Sequence, residues 1–267
     1  MALLELREIG KTYRKKEGAF KALSNVNVDV CGGEIVGLVG MSGSGKSSIA
    51  RIAVGLDAAD SGTVLFKGQQ CDASLPISRR PRQFREAQLD MQMVFQNPAS
   101  TFSPRMRIGR GVAEGIAYRR SSQGDNSQMV FDALEAAGLP RNYAEKYAWE
   151  LSGGECQRAA IARAIIGGPD LLIADEPTSA LDVTIQAQVV RLIDHLCRSR
   201  GMACLFISHD LALVYGLCDR VYVLDGGRIV EEGSSEYVFN HASAPATRRL
   251  IESIAEIYAQ ATWLNVI

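Results

Sequence analysis

Hydrophobic residues recur along the chain in short, regular groups. Positions 3–9 and 26–30 alternate apolar and polar residues, and Gly10, Gly32 and Gly33 bound them. Half-buried strands have that period of two. Residues 35–39 form an unbroken apolar run, as in a strand covered on both faces. A glycine-rich turn at 40–45 follows, then 46–56 with Ile49, Ile52, Ala53 and Leu56 at helical spacing. Residues 91–95 read as a further short strand. From 171 onward the pattern predicts strands at 171–174, 203–207 and 220–224 and an amphipathic helix at 184–199. Asp225-Gly226-Gly227-Arg228 reads as a hairpin turn leading into 229–232. Such alternation predicts an α/β fold with a mostly parallel sheet.

Two segments depart from this pattern. Residues 69–88 are polar and basic, with Arg79, Arg80, Arg82 and Arg85, and read as a solvated face. Residues 97–150 read as helical patches at 111–118, 127–137 and 143–149 around a polar break at 121–127, an all-α lobe inserted in the α/β domain. The tail from about Ser234 reads as helical and mostly polar.

Composition narrows the classes. With 267 residues, 47% of them hydrophobic, one large α/β domain or one domain with an inserted lobe fits best. A net charge of −1 leaves no nucleic-acid footprint. The apolar runs are far shorter than a bilayer span. Glu5, Arg7 and Glu8 interrupt the N-terminal apolar stretch, which argues against a secretory signal and for the cytosol. The six cysteines form no CxxC pair and there are three histidines, so a Cys/His metal site has little support. The cysteines read as small, reduced, partly buried hydrophobes.

The chemistry concentrates in two places. Gly40-Met41-Ser42-Gly43-Ser44-Gly45-Lys46-Ser47 matches G-x-x-x-x-G-K-[ST]. Successive backbone N–H groups can surround a triphosphate only where no side chain intrudes, hence the glycines. The following helix N-terminus adds N–H donors, with Ser48 in its first turn. Lys46 brings a full charge to the β- and γ-phosphates, and Ser47 a hydroxyl to Mg²⁺. A chance match is the competing reading; the strand before and the helix after weigh against it. The second place is the strand 171–174, which ends in Asp175 and Glu176. Asp175 suits Mg²⁺, and Glu176 could polarise the attacking water. A surface acid pair before Pro177 is the plainer alternative.

Leu151-Ser152-Gly153-Gly154-Glu155, followed by Gln157-Arg158 and an Ala-rich helix at 159–166, is by itself only an N-cap and a turn. Its place between the phosphate loop and the Asp175 strand resembles the signature motif of the ABC ATPases. Other landmarks resemble that family in order. Tyr13 looks like the aromatic that stacks on adenine. Gln96 resembles the glutamine that senses Mg²⁺ and the attacking water. Residues 179–182 resemble the segment that touches the opposite subunit, and His209 the histidine that contacts the γ-phosphate. The resemblance spans roughly residues 3–235; Cys156 departs from it, where a polar or larger residue is usual.

The resemblance implies a P-loop core with an N-terminal antiparallel β subdomain. It places an ATPase domain at 1–235, an inserted helical lobe at about 97–160, and a helical tail at 236–267. It implies ATP and Mg²⁺ as ligands, with Ser47, Gln96 and Asp175 toward the metal. The signature Ser152, Gly153 and Gly154 would close over ATP held by a second, homologous and non-identical, ATPase subunit. Residues 95–98, 102–105, 182–189 and 246–251 resemble the peptide/nickel importer branch, and the short tail looks most like the second nickel import ATPase. Two integral membrane permeases, an external solute-binding protein and a peripheral position on the cytoplasmic face of the plasma membrane are thereby implied, with no nucleic-acid partner. The competing reading is a soluble ABC ATPase that remodels or assembles complexes.

Overall fold

A computed structural model of the chain describes residues 2–15, 18–71, 74, 80–117 and 125–260. Two sheets lie at its centre. The first is antiparallel, in the order β2 (Gly18–Cys31), β1 (Ala2–Lys15), β4 (Ser61–Phe66), β5 (Gln69–Gln70). β1 and β2 run well beyond the expected strands, from the Ala2–Cys31 pair to Lys15–Gly18. Their outer halves are largely solvated, so they carry no apolar alternation to read.

The second sheet has the order β10 (Arg228–Ser234), β9 (Arg220–Asp225), β3 (Ile35–Val39), β8 (Ala203–Ile207), β7 (Leu171–Asp175), β6 (Met91–Val94). Its strands are parallel except β10, which returns antiparallel on β9. Gly226 (φ 53°) and Gly227 (φ 74°) supply the two left-handed residues that this hairpin needs. β3, β7 and β8 are buried throughout, as their continuous apolar runs require. Successive residues feed opposite cores. Leu38, Ile173, Leu205 and Ile207 face the antiparallel sheet and α1 (Lys46–Ala53). Ile35, Leu172 and Phe206 face Val189, Ile193 and Val214, which lie on α6 (Val183–Arg200) and α7 (Leu211–Leu217).

Between β6 and β7, a third apolar cluster gathers Phe102, Ile108, Val112, Val130, Leu134 and Cys156. It lies among α3 (Ile108–Ala113), α4 (Ser127–Ala136) and α5 (Gly153–Ile165). The unusual Cys156 is thus a small buried side chain in this core. Burial also pushes its thiol up. The expected helical patch at 143–149 is instead two 3-10 turns, Arg141–Glu145 and Ala148–Glu150.

The basic stretch is not simply a solvated face. α2 (Arg82–Asp90) buries Phe84 and Ala87, and the buried Arg80 guanidinium lies 5.0 Å from the centre of the Phe84 ring. Arg79 and residues 118–124 fall outside the described residues. The tail forms α8 (Ser235–Asn240) and α9 (Pro245–Gln260); Val238 and Leu250 join the helical-face core, so it has an apolar stripe. The sheets are also joined by charge. Arg220 on β9 bonds Asp29 Oδ2 on β2 (2.7 Å) and Glu34 Oε1 (2.9 Å).

Candidate functional site

In a parallel sheet the crevice beyond the carboxyl ends of the strands is open to ligands, above all where neighbouring connections diverge. The chain order places β3, β7 and β8 side by side, and each ends at a residue singled out by sequence. β3 leads into residues 40–45. Gly43 (φ 79°) and Gly45 (φ 112°) are left-handed. A Cβ on Gly45 would stand 2.7 Å from the Ala22 carbonyl, and one on Gly40 2.2 Å from the Leu224 carbonyl. The loop therefore presses on the strands behind it, where glycine alone leaves the backbone room to approach.

Lys46 is 5% exposed and bends back to donate to the carbonyls of Gly40 (2.8 Å) and Met41 (3.1 Å). Burial pulls its ammonium pKa down, and the neighbouring Glu176 and Asp175 charges oppose that fall. The Ser44 hydroxyl is buried in the loop and has no hydrogen-bond partner among the described residues. A cradle of N–H groups, an ammonium and a spare hydroxyl suits a polyphosphate.

Ser47 Oγ donates to Asp175 Oδ1 at 3.2 Å, across 128 positions of sequence. Burial raises the Asp175 carboxyl pKa; Ser47 pulls against that and the adjacent Glu176 charge adds to it. A buried carboxylate and a hydroxyl at the edge of a phosphate cradle form a small oxygen donor set of the kind Mg²⁺ takes alongside phosphate and water. Among the described residues no group of three or more His, Cys, Asp or Glu could hold a metal.

Glu176 leaves the β7 strand with φ 45°, a left-handed backbone that costs a side-chain-bearing residue about 1–2 kcal/mol. Its N–H donates to the Ile207 carbonyl at the end of β8 (2.9 Å). Its Oε2 accepts from Gln96 Nε2 at 3.0 Å and lies 3.5 Å from His209 Nδ1; its Oε1 is 3.9 Å from Lys46 Nζ. The turn aims the carboxylate at the phosphate loop, and side chains from after β6 and β8 hold it there. Sequence reasoning had no sign of this left-handed turn. The structure thus joins Lys46, Ser47, Asp175, Glu176, Gln96 and His209 in one place. Tyr13 reaches the same helix, its hydroxyl 3.2 Å from Ser48 Oγ.

Ser152, Gly153 and Gly154 sit elsewhere. Ser152 caps α5 in a reciprocal box with Glu155: Oγ accepts from the Glu155 N–H (3.3 Å), and Glu155 Oε2 accepts from the Ser152 N–H (2.8 Å). A Cβ on Gly154 would meet Ile185 Cγ2 at 2.6 Å. Among the described residues no hydrogen bond ties this motif to residues 40–48. The segment after Gln96 is fastened to it: the Ile108 N–H donates to the Lys146 carbonyl (2.8 Å), Arg163 to the Thr101 carbonyl (2.7 Å), and Tyr143 to Glu155 (2.5 Å).

Comparison with known proteins identifies the family. Residues 23–179 match the ABC transporter family. A peptide import ATP-binding protein of Brucella ovis is 44% identical over 253 residues, covering 94% of this chain and 78% of the relative. The oligopeptide transport ATP-binding protein OppF of Bacillus subtilis is 37% identical, covering 94% and 82%. A dimeric ATP-binding cassette solved in a post-hydrolysis state with ADP and Pi superposes with a TM-score of 0.77 at 27% identity, covering 87% of this chain and 98% of that one. Among the described residues no helix is long and apolar enough to cross a membrane. With more than half of its length inside the family match and relatives of this likeness, the chain belongs to the ABC transporter family, as an ATP-binding ATPase subunit.

Proposed function

We propose that this chain drives peptide uptake by hydrolysing ATP between two ATPase subunits. The supporting observation is the convergence of Ser47, Asp175, Glu176, Gln96 and His209 beside Lys46. The family match and the peptide-import relatives supply the context. Residues 1–235 form the ATPase domain with a helical lobe at about 97–160, and 236–267 the tail.

Residues 40–48 wrap the phosphates, and Lys46 transfers its hydrogen bonds from loop carbonyls to phosphate oxygens. Tyr13 stacks on the adenine. Ser47, Asp175 and Gln96 would hold Mg²⁺, which when bound would supply positive charge to the phosphate oxygens. Glu176 takes the proton of the attacking water, kept in line by Gln96, while His209 donates to the γ-phosphate. Ser152, Gly153 and Gly154, away from their own chain's phosphate loop, cover the nucleotide of a second, homologous and non-identical ATPase.

Two integral membrane permeases complete the assembly at the cytoplasmic face of the inner membrane, one docking near residues 96–110. An external solute-binding protein delivers cargo. The relatives' names favour peptides over the nickel chelates that the short tail suggested, and they favour transport over complex remodelling. The test is ATPase activity of the reconstituted complex titrated with short peptides and with nickel chelates. Peptide stimulation supports the proposal; stimulation by nickel alone, or failure to assemble with permeases, refutes it.

A further inference from the structure

The half-buried Tyr13 ring is fastened rather than free. Its hydroxyl donates to Asp57 Oδ2 at 2.7 Å and lies 3.2 Å from Ser48 Oγ. A phenol has one hydrogen to give. With the carboxylate taking it, the Ser48 hydroxyl is left to donate to the phenol oxygen. The other Asp57 oxygen accepts from Lys11 Nζ at 2.9 Å. That ammonium also donates to the Ala58 carbonyl at 2.6 Å and lies 5.2 Å from the centre of the Tyr13 ring. Between them, the Thr12 N–H donates to Asp60 Oδ2 at 2.6 Å.

Three successive residues of β1 are thus bound to the turn at 57–60 that leaves α1. α1 is the helix whose first turn carries Lys46, Ser47 and Ser48. Burial works against the Asp57 charge, but the hydrogen bonds from Tyr13 and Lys11 hold its carboxyl below the usual range. Burial likewise keeps the Tyr13 phenol protonated, with its pKa raised.

We infer that Asp57 is a positioning residue for the nucleotide base: it holds the Tyr13 ring at a fixed place beside α1, so that the base meets an aromatic face already ordered. The inference rests on the reading of Tyr13 as the stacking residue. It gives a task to a residue 44 positions from Tyr13 that no sequence motif marks. A ring that must be ordered on binding costs affinity, and Asp57 removes that cost in advance.

The test is calorimetric titration of the full chain with Mg·ATP and with magnesium tripolyphosphate, which has the phosphates and no base. Tyr13→Ala should weaken ATP roughly 5- to 150-fold, the worth of one base–aromatic stack. Asp57→Ala should weaken ATP about two- to tenfold, the cost of ordering one side chain. Both should leave tripolyphosphate unchanged. In a Tyr13→Phe background, which lacks the hydroxyl, Asp57→Ala should have no further effect. Asp57→Asn keeps an acceptor for Tyr13 and should fall between, guarding against a misfolded variant. If Tyr13→Ala weakens ATP and Asp57→Ala does not, the positioning role is overturned and stacking stands. If Tyr13→Ala has no effect, the stacking reading itself falls. If Asp57→Ala weakens tripolyphosphate equally, or acts in the Tyr13→Phe background, Asp57 serves the fold and not the ring.

Discussion

Glu176→Gln isolates the chemistry from the binding. The amide is isosteric with the carboxylate, so the left-handed turn and the bond from its N–H to Ile207 should persist. What changes is proton affinity: an amide cannot take a proton from water. A positioned general base contributes about 10²- to 10⁴-fold, or roughly 3–5 kcal/mol of barrier at 1.36 kcal/mol per decade. Binding should not suffer. Glu176 Oε1 stands 3.9 Å from Lys46 Nζ, so its charge competes with phosphate for that ammonium. Neutralising it should leave ATP affinity unchanged or tighter, with Asp175 still present for the metal. The assay is single-turnover phosphate release with a parallel ATP titration, and size-exclusion in Mg·ATP to detect trapped pairs. Turnover within about threefold of the parent would remove Glu176 from the base role, since 10²-fold is the least such a group supplies. Lost ATP affinity would make it a binding residue.

Other outcomes follow from the same geometry. Asp175→Asn should raise the melting temperature of the nucleotide-free chain at pH 7 and remove its stabilisation by Mg·ATP. Burial raises the folded carboxyl pKa above its unfolded value, so its cost is absent below the unfolded pKa and grows as pH rises through the folded one; the gain should vanish in acid. Gly45→Ala should abolish nucleotide binding and lower stability by about 2 kcal/mol or more, because φ is 112° and the new methyl meets the Ala22 carbonyl. Arg220→Met should cost about 1–2 kcal/mol in denaturant melts, because Asp29 and Glu34 lose their charged partner and keep only the Tyr222 hydroxyl and the Cys31 N–H. In the native chain a charged thiol reagent should modify Cys31 first, since the other five cysteines are buried; burial also holds Cys71 up at about 11.

The sequence was most legible where one residue type answers one physical demand. Continuous apolar runs gave β3, β7 and β8, and the glycines before Lys46 marked a loop with no room for a Cβ at Gly40 or Gly45. Legibility ended where structure depends on distant partners. β4 and β5 are short and half-solvated, so they leave little periodic signal. The bend at Glu176 arises from packing at the ends of β7 and β8, and the basic run hid Phe84 because one aromatic makes no pattern. No motif marks Asp57; only the fold brings it to Tyr13.

The span of 128 residues between Ser47 and Asp175 bears on how the chain comes into being. While the ribosome is still making the helical lobe, the phosphate loop is already synthesised but β7 has not yet appeared, so a nascent chain at that stage lacks the Asp175 and Glu176 carboxylates of the proposed site. The reverse also holds. A ligand that needs both halves binds only the finished molecule, so nucleotide at a hundred times its dissociation constant steadies the entire fold by about 2.7 kcal/mol.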